Sequence, residues 1–203
     1  MKITEIFTSI QGEGSSSGYL TLFIRLSGCN LRCEYCDTPD AQNGVGRDIS
    51  PAFIAEEAFR SGVSHVCITG GEPLIQKDEL GVLLKMLSNA GHNISIETNG
   101  TIDFRPFQAY ATICMDVKCP SSGVTSDLSL LPHIRENDSV KYVIGTSEDL
   151  MYAHKILSTY PVTGEVFWSP VFGSDHMQII SYIMKQKLPV RFQIQLHKVI
   201  GVQ

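Results

Sequence analysis

Short apolar, β-rich segments alternate with helical segments along this chain, and this alternation constrains the fold more than any other feature of the sequence. Strands are predicted at residues 19–26, 65–69, 93–97, 111–117, 140–144, 166–168 and 190–196. Helices are predicted at residues 51–61, 78–89, 148–159 and 175–186, the first with Ser50 as N-cap, Pro51 at its first position and Gly62 after its end. We expect the strands to be apolar on both faces, which is typical of a parallel sheet with right-handed crossovers.

The predicted fold class is therefore α/β. A length of 203 residues suits one domain, residues 1–203, and is short for two enzymatic domains. In parallel sheets the functional groups collect at the carboxyl ends of the strands. The motifs at those positions are therefore the most informative.

Composition narrows the class of partner. Sixteen Lys and Arg residues against 21 Asp and Glu give a formal charge of −5, which disfavours nucleic acid and favours a small-molecule partner. No apolar stretch approaches the roughly 18 residues of a membrane span, and the amino terminus has no apolar signal core. We expect a cytoplasmic protein without a membrane partner. In such a reducing compartment, cysteines are expected to serve metal or redox chemistry, or to be small buried apolar side chains, rather than to form disulfides.

Three of the six cysteines follow the first predicted strand in the spacing C-x3-C-x2-C: Cys29, Cys33 and Cys36. A saturated iron–sulfur cluster or a structural zinc ion takes four protein ligands. Three thiolates on a four-iron cluster would leave one iron open to a substrate or cofactor. Two other interpretations stay open at this point: a zinc ion with a distant fourth ligand such as His65, and three unrelated buried cysteines.

The cysteine spacing resembles the cluster motif of the radical S-adenosylmethionine (SAM) superfamily, which Tyr35 before the last cysteine also fits. Residues 69–73 (Thr-Gly-Gly-Glu-Pro) end the next predicted strand and resemble the superfamily's Gly-Gly-Glu-Pro motif. Paired glycines at a strand end let a ligand approach the backbone. The resemblance implies a partial (β/α) TIM-like barrel of about six parallel strands, a [4Fe–4S] cluster on the three cysteines, and SAM as the source of a 5′-deoxyadenosyl radical.

The amino-terminal segment narrows this resemblance to one family. Residues 11–14 (Gln-Gly-Glu-Gly) put an amide and a carboxylate on a glycine-flanked loop, and Arg25 lies on the following strand. Such groups can recognise the donor edge and the carboxylate of a pterin. In this combination they resemble the 7-carboxy-7-deazaguanine synthase family. Further segments agree with it: residues 37–38 (Asp-Thr), 98–100 (Thr-Asn-Gly), 116–118 (Asp-Val-Lys) and 195–198 (Gln-Leu-His-Lys).

The resemblance implies a lyase that converts 6-carboxy-5,6,7,8-tetrahydropterin to 7-carboxy-7-deazaguanine and releases ammonia, in 7-deazapurine biosynthesis of the queuosine type. It also implies Mg²⁺ bound by Thr38, a homodimer, and an external electron donor such as flavodoxin. The residues implied in SAM binding are Tyr35, Cys36, Asp37, Gly71, Glu72, Asp116, Val117, Lys118 and Ser169. Those implied in substrate binding are Ile10, Gln11, Gly12, Glu13, Arg25, Thr69, His197 and Gln203, the last expected there because it follows His197 closely.

Two other functions are compatible with the cysteine spacing. An activating enzyme that installs a glycyl radical on a partner protein uses the same spacing, but it does not explain residues 11–13 or 37–38. A non-catalytic zinc or iron–sulfur module does not explain the Gly-Gly-Glu-Pro segment.

Overall fold

Nine strands join into one continuous sheet in the computed structural model, which describes residues 1–203. The strands are β1 (Lys2–Ile10), β2 (Leu20–Leu26), β3 (Arg47–Asp48), β4 (His65–Gly70), β5 (Asn93–Thr98), β6 (Thr112–Val117), β7 (Ser139–Ile144), β8 (Glu165–Pro170) and β9 (Arg191–Phe192). Strands β2 and β4 to β8 are parallel neighbours in that order, and the short β9 continues them. β1 runs antiparallel to β2, and β3 lies beyond it. The sheet does not close on itself, so the expected partial barrel of about six parallel strands is confirmed.

Five α-helices lie between the strands, and a sixth follows the last strand: α1 (Pro39–Gln42), α2 (Pro51–Ser61), α3 (Lys77–Asn89), α4 (Ser147–Thr159), α5 (His176–Gln186) and α6 (Leu196–Ile200). The four predicted helices are confirmed to within a residue at each end. Ser50 caps α2 as predicted, since its Oγ accepts from Phe53 N at 3.2 Å, and Gly62 ends the helix in the left-handed region at φ 66°. The connections from β5 to β7 contain only short 3₁₀ turns, so helices are fewer than in a full barrel. None of the helices has the length and apolar character that a membrane crossing requires.

The parallel strands are apolar on one face only, so the expectation of two apolar faces is wrong. Residues such as Ile24, Ile68 and Ile96 face outward, are fully buried, and pack under the helices. The intervening residues face the inside of the barrel and are largely polar: Arg25, Thr69, Glu97, Asp116 and Lys141. Because the side-chain period of a strand is two, alternate polar residues converge on the barrel interior. The hydrophobic core therefore lies between the sheet and the helices.

Both ends of the sheet depart from the prediction. The sequence pattern does not mark β1, because polar residues such as Glu5 and Thr8 interrupt its apolar run. The predicted strand at residues 190–196 is wrong for most of its length, since only the two residues of β9 pair with β8. The Gln193 amide still donates to Trp168 O of β8 at 3.1 Å, but its side chain pairs with the backbone of Gly14, accepting from its amide at 2.7 Å and donating to its carbonyl at 3.0 Å. The chain then turns into α6 and crosses the mouth of the barrel.

Candidate active site

A cavity of about 700 Å³ opens at the carboxyl ends of the parallel strands. Its wall combines inner-face residues of the strands with the loop that carries the three cysteines and with the carboxy-terminal segment. The residues of the implied sites that line it are Ile10, Gln11, Glu13, Arg25, Cys29, Cys33, Tyr35, Cys36, Asp37, Thr38, Thr69, Gly71, Asp116, Lys118, His197 and Gln203. Residues from both ends of the sequence thus meet around one space.

Four residues of the implied sites do not line this cavity: Gly12, Glu72, Val117 and Ser169. Val117 belongs to the hydrophobic core, and Ser169 is 1% exposed with its hydroxyl unpartnered. Gly12 lies so close to His197 that a Cβ at position 12 would overlap the imidazole. The cavity therefore offers a ligand no side-chain contact from these four positions.

The cysteine loop (residues 27–38) is held against the segments that follow three parallel strands. After β4, Glu72 N donates to Gly28 O at 2.8 Å. After β5, Asn99 Nδ2 donates to Asn30 Oδ1 at 2.9 Å. A further backbone hydrogen bond, 3.0 Å long, joins the loop to the 3₁₀ turn after β6. Tertiary contacts with three neighbouring strands thus position the three thiols.

Two glycines, the last residue of β4 and the one after it, make room for the chain's own backbone. A Cβ on Gly70 would overlap the backbone of Leu26 in β2, and a Cβ on Gly71 would overlap the carbonyl of Gly28. Gly70 also has φ 141°, a conformation that L side chains rarely adopt. These glycines therefore make room for β2 and the cysteine loop. Both also line the cavity, so close approach of a ligand stays a prediction.

Glu72 is fully buried, and its carboxylate has a structural role. Its Oε1 accepts from Leu74 N at 3.0 Å and from Thr98 Oγ1 at 2.9 Å, while Oε2 accepts from Asn99 N at 2.7 Å. Burial raises the pKa of Glu72, and these hydrogen bonds oppose the rise. Glu72 joins the end of β4 to the end of β5 and, through Asn99, supports the cysteine loop.

The three thiols are free, half-buried and directed to one cavity, which fits a cluster held by three thiolates. Burial raises the pKa of Cys33, and the charge of Lys118 opposes this rise. Cys29 Sγ accepts long hydrogen bonds from Leu31 N at 3.4 Å and from Asn99 Nδ2 at 3.8 Å. Hydrogen bonds to ligand sulfur are one of the means by which proteins tune iron–sulfur clusters.

The other cysteines and His65 lie outside the cysteine loop. His65 begins β4, at the opposite end of that strand, and stacks on Tyr19 with ring centroids 4.3 Å apart. Cys119 belongs to the hydrophobic core. Cys67 lies on the inner face of β4, where burial raises its pKa to about 12. The zinc interpretation thereby loses His65 as its fourth ligand.

Two acidic residues near the thiols are paired with lysines. Lys118 Nζ donates to Asp116 Oδ2 at 2.8 Å, and Lys198 Nζ donates to Asp37 Oδ2 at 2.7 Å. Burial alone would raise the pKa of Asp116, but Lys118 and Lys141 outweigh it and hold that pKa below its usual range. Burial of Asp37 is likewise outweighed by Lys198, which lowers the pKa of Asp37. At neutral pH this wall presents ionised carboxylates that can accept hydrogen bonds from a small molecule.

Arg25 lies on the inner face of β2. Its Nε donates to Glu5 Oε1 at 2.7 Å, and its guanidinium lies over the ring of Phe7, 5.6 Å from the centroid. The two terminal nitrogens of Arg25 have no hydrogen-bond partner in the protein. The position is thus held by Nε, while the fork that suits a carboxylate remains available.

The loop of residues 11–14 is braced from within and from the carboxy-terminal segment. Gln11 Oε1 accepts from Gly12 N at 2.9 Å and from Glu13 N at 3.3 Å. Leu196 N donates to Gly12 O at 3.0 Å, which places α6 beside the loop. His197 on α6 faces the cavity, where burial lowers its pKa and favours the neutral imidazole.

Thr38 borders the cavity with an uncommitted hydroxyl. It precedes α1 but makes no capping hydrogen bond, and its side chain has one long hydrogen bond, between Oγ1 and Cys36 Sγ at 3.9 Å. An available hydroxyl oxygen fits one ligand of Mg²⁺, which prefers oxygen ligands and keeps several waters.

A buried lysine at the floor of the cavity is absent from the sequence-based prediction. Lys141 Nζ lies 2.8 Å from Glu13 Oε2, 3.1 Å from Asp116 Oδ1 and 3.5 Å from Glu97 Oε2. Burial opposes its charge, but the three carboxylates outweigh burial and raise the pKa of Lys141 well above its usual value. One sequence signal does exist: a charged residue stands between Val140 and Tyr142 in an otherwise apolar strand.

Comparisons with known proteins agree with this geometry. A family model described as the radical SAM superfamily matches residues 23–117, which include the cysteine loop. A 7-carboxy-7-deazaguanine synthase from Methanospirillum hungatei is 52% identical over 202 residues, covering 100% of this chain and 86% of the relative. One from Thermoplasma acidophilum is 40% identical over 204 residues, covering 98% of this chain and 97% of the relative. The crystal structure of QueE from Escherichia coli matches with a TM-score of 0.78 at 24% identity, over 97% of this chain and 94% of that chain, and so has the same fold.

The similarity to the two synthases extends over nearly the whole chain and therefore covers the cavity, the cysteine loop and the carboxy-terminal segment together. On these grounds the chain belongs to the 7-carboxy-7-deazaguanine synthase family, within the radical SAM superfamily.

Proposed function

We propose that residues 1–203 act as one domain that converts 6-carboxy-5,6,7,8-tetrahydropterin to 7-carboxy-7-deazaguanine and releases ammonia, in a 7-deazapurine pathway. The observation that carries the proposal is that one cavity joins three free thiols to Arg25 and Glu13. A volume of about 700 Å³ is suited to small-molecule ligands. The cavity is thus large enough for a cofactor beside the thiols and a pterin beside Arg25 and Glu13, and it offers polar groups that suit each of them.

On the thiol side, Cys29, Cys33 and Cys36 would hold a [4Fe–4S] cluster with one iron left for SAM. When bound, these cofactors supply a carbon radical that removes a hydrogen atom from the substrate and later returns it. The protein holds this side of the cavity rigid: Tyr35 Oη donates to Val143 O at 3.3 Å and joins the cysteine loop to β7. The residues proposed to contact SAM are Tyr35, Cys36, Asp37, Gly71, Asp116 and Lys118, with Glu72, Val117 and Ser169 behind them.

On the other side, Arg25 would bind the carboxylate of the pterin through its free terminal nitrogens. Glu13 would accept hydrogen bonds from the donor edge of the ring, on a loop that Gln11 shapes. Thr69 and His197 border the same space and complete the polar surroundings. These contacts would hold the reacting carbon close to the cofactor, which lowers the entropic part of the barrier.

Mg²⁺ is proposed as a further cofactor, which Thr38 would hold through its hydroxyl oxygen. When bound, the ion would supply positive charge that helps to fix the carboxylate of the pterin. Mg²⁺ prefers oxygen ligands and keeps several waters, so one oxygen from the protein fits it.

We also propose a homodimer, a flavodoxin-like electron donor and a cytoplasmic location. Exposed apolar side chains, among them Met177 and Met184 on α5 and Val199 on α6, support a protein partner. The half-buried thiols lie near enough to the surface for an external donor to deliver an electron. The six free cysteines suit a reducing compartment.

The test is an anaerobic incubation of the reconstituted, reduced protein with SAM, Mg²⁺ and 6-carboxytetrahydropterin, analysed by mass spectrometry. We expect 7-carboxy-7-deazaguanine and one equivalent of ammonia, and neither from a matched Cys33→Ala variant, which lacks one cluster ligand. Accumulation of 5′-deoxyadenosine without product would support radical chemistry but refute the proposal that the pterin is the substrate. A fully active Cys33→Ala variant would refute the cluster ligands.

A further inference from the structure

Five charged side chains meet at the floor of the cavity, inside the barrel. Glu13 comes from the loop after β1, Glu97 from β5 and Asp116 from β6, while Lys118 follows β6 and Lys141 lies on β7. Three carboxylates against two ammonium groups leave one net negative charge. The Lys141 side chain is only 6% exposed, so its charge depends on these neighbours for compensation.

The carboxylates depend on Lys141 to different degrees. Asp116 has a second cation, because Lys118 Nζ lies 2.8 Å from its Oδ2. Glu97 is more distant from Lys141, at 3.5 Å. Glu13 has Lys141 as its only hydrogen-bond donor: Oε2 accepts from Nζ at 2.8 Å, and Oε1 has no partner in the protein. The Glu13 side chain is 16% exposed and borders the cavity, so Oε1 is accessible to a ligand.

The same group of residues is poorly suited to a metal ion. Ligand atoms of Glu97, Cys114 and Asp116 lie within 4.8 Å of one another, which by itself would permit one. The Lys141 ammonium, however, already lies 3.1 Å from Asp116 and 3.5 Å from Glu97. A second cation at that distance would be repelled strongly in a buried site. Lys141 therefore occupies the place that a metal ion would take beside Asp116 and Glu97.

We propose that Lys141 is a positioning residue for the pterin: its buried ammonium binds one oxygen of Glu13 and leaves the other to accept a hydrogen bond from the substrate. This inference rests on the proposed function. Lys141 acts through Glu13 and need not touch the substrate. Because Asp116 keeps Lys118, loss of Lys141 should weaken the pterin side of the cavity and spare the SAM side.

The experiment measures KM for the pterin and for SAM separately, with the full-length reconstituted enzyme. The variants are Lys141→Met and Lys141→Gln, which remove the charge, and Lys141→Arg, which keeps it. Lys155→Met on the exposed face of α4 is the matched control. Iron content and 5′-deoxyadenosine formation report whether the cluster and SAM sites remain intact.

We expect both neutral variants to raise KM for the pterin roughly tenfold, the effect of losing one charge-assisted hydrogen bond. KM for SAM should stay within about twofold of the wild type, because Asp116 keeps its ion pair with Lys118 at 2.8 Å. Lys141→Arg should lie closer to the wild type than either neutral variant. If Lys141→Met fails to fold, Lys141→Gln carries the test, since its amide can still solvate the carboxylates.

Two failures are distinguishable. In the first, the wild-type enzyme turns over the pterin, but a folded Lys141→Gln variant has an unchanged KM for the pterin. This result would refute the role of Lys141 and retain the proposed function. An equal rise of KM for SAM and for the pterin would also refute it, because that result indicates general loss of structure. A wild-type protein that makes no product from the pterin would overturn both.

Discussion

Replacing Glu72 by alanine should destabilise the fold and loosen the cysteine loop. The fully buried carboxylate accepts from Leu74 N, Thr98 Oγ1 and Asn99 N. Two of these donors are backbone amides that cannot turn toward solvent. Each buried donor left without an acceptor costs about 1–3 kcal/mol, and the Thr98 hydroxyl adds less because it can rotate, so we expect a loss of about 3–6 kcal/mol. That is a large part of the roughly 5–15 kcal/mol that stabilises a typical domain.

Glutamine at position 72 provides the matched comparison. It keeps the shape of the side chain and an oxygen for Leu74 N and Thr98 Oγ1, but its NH₂ group would face Asn99 N. One hydrogen bond is lost and two donors oppose each other, so we expect a loss of about 2–3 kcal/mol. Glu136→Gln, on an exposed carboxylate, should change stability by less than about 0.5 kcal/mol.

The assay is urea unfolding of the reconstituted protein under anaerobic conditions, followed by circular dichroism and analysed for midpoint and slope. Iron content after reconstitution is the second readout, because Asn99 also contacts Cys29 Sγ at 3.8 Å and Asn30 Oδ1 at 2.9 Å. We expect the order wild type, Glu72→Gln, Glu72→Ala in both stability and iron retained. Equal midpoints for Glu72→Ala and Glu136→Gln would show that other groups satisfy these donors, and the reasoning would be wrong.

Two further predictions follow from the described contacts. Arg25→Ala should raise KM for the pterin by roughly tenfold or more, since a charge-assisted contact with the carboxylate is lost, while 5′-deoxyadenosine formation continues. Steady-state kinetics measure this KM, and an unchanged value would show that Arg25 does not belong to the substrate site. Asp149 accepts hydrogen bonds from the Ser121 amide and hydroxyl and from the amides of Gly145 and Thr146, and these outweigh burial and lower its pKa. Its stabilising effect is therefore complete above the unfolded pKa of about 4 and is lost as the pH falls through the lower folded pKa. Asp149→Ala should be less stable than the wild type at pH 7, with a gap that narrows in urea midpoints measured at decreasing acid pH; a constant gap would contradict this.

Features that depend on near neighbours in the chain are accessible from the sequence. The caps of α2 follow from Ser50, Pro51 and Gly62, because capping groups act within one turn. The parallel strands follow from apolar segments separated by helices. The three cysteines of one short loop and the Gly-Gly-Glu-Pro segment indicate the superfamily for the same reason, since each motif is contiguous.

Features that depend on partners distant in the chain emerge only from the tertiary structure. Glu72 belongs to a recognised motif, yet its direction is decided by the amide of Asn99 and the hydroxyl of Thr98, which leaves its carboxylate outside the cavity. The segment after β9 contains apolar residues typical of a strand, yet Gln193 pairs with Gly14 at the other end of the sequence.

The sequence by itself therefore determined the class of fold, the thiol loop and the family resemblance, because these are written in local spacing. The tertiary structure alone decided the charge arrangement at the floor of the cavity. Lys141 compensates Glu13, Glu97 and Asp116 because three strand ends and a loop converge at one point inside the barrel. Nothing in the local sequence around any of these residues states which partner its charge will meet, since Coulomb interactions depend on distance in space and on burial.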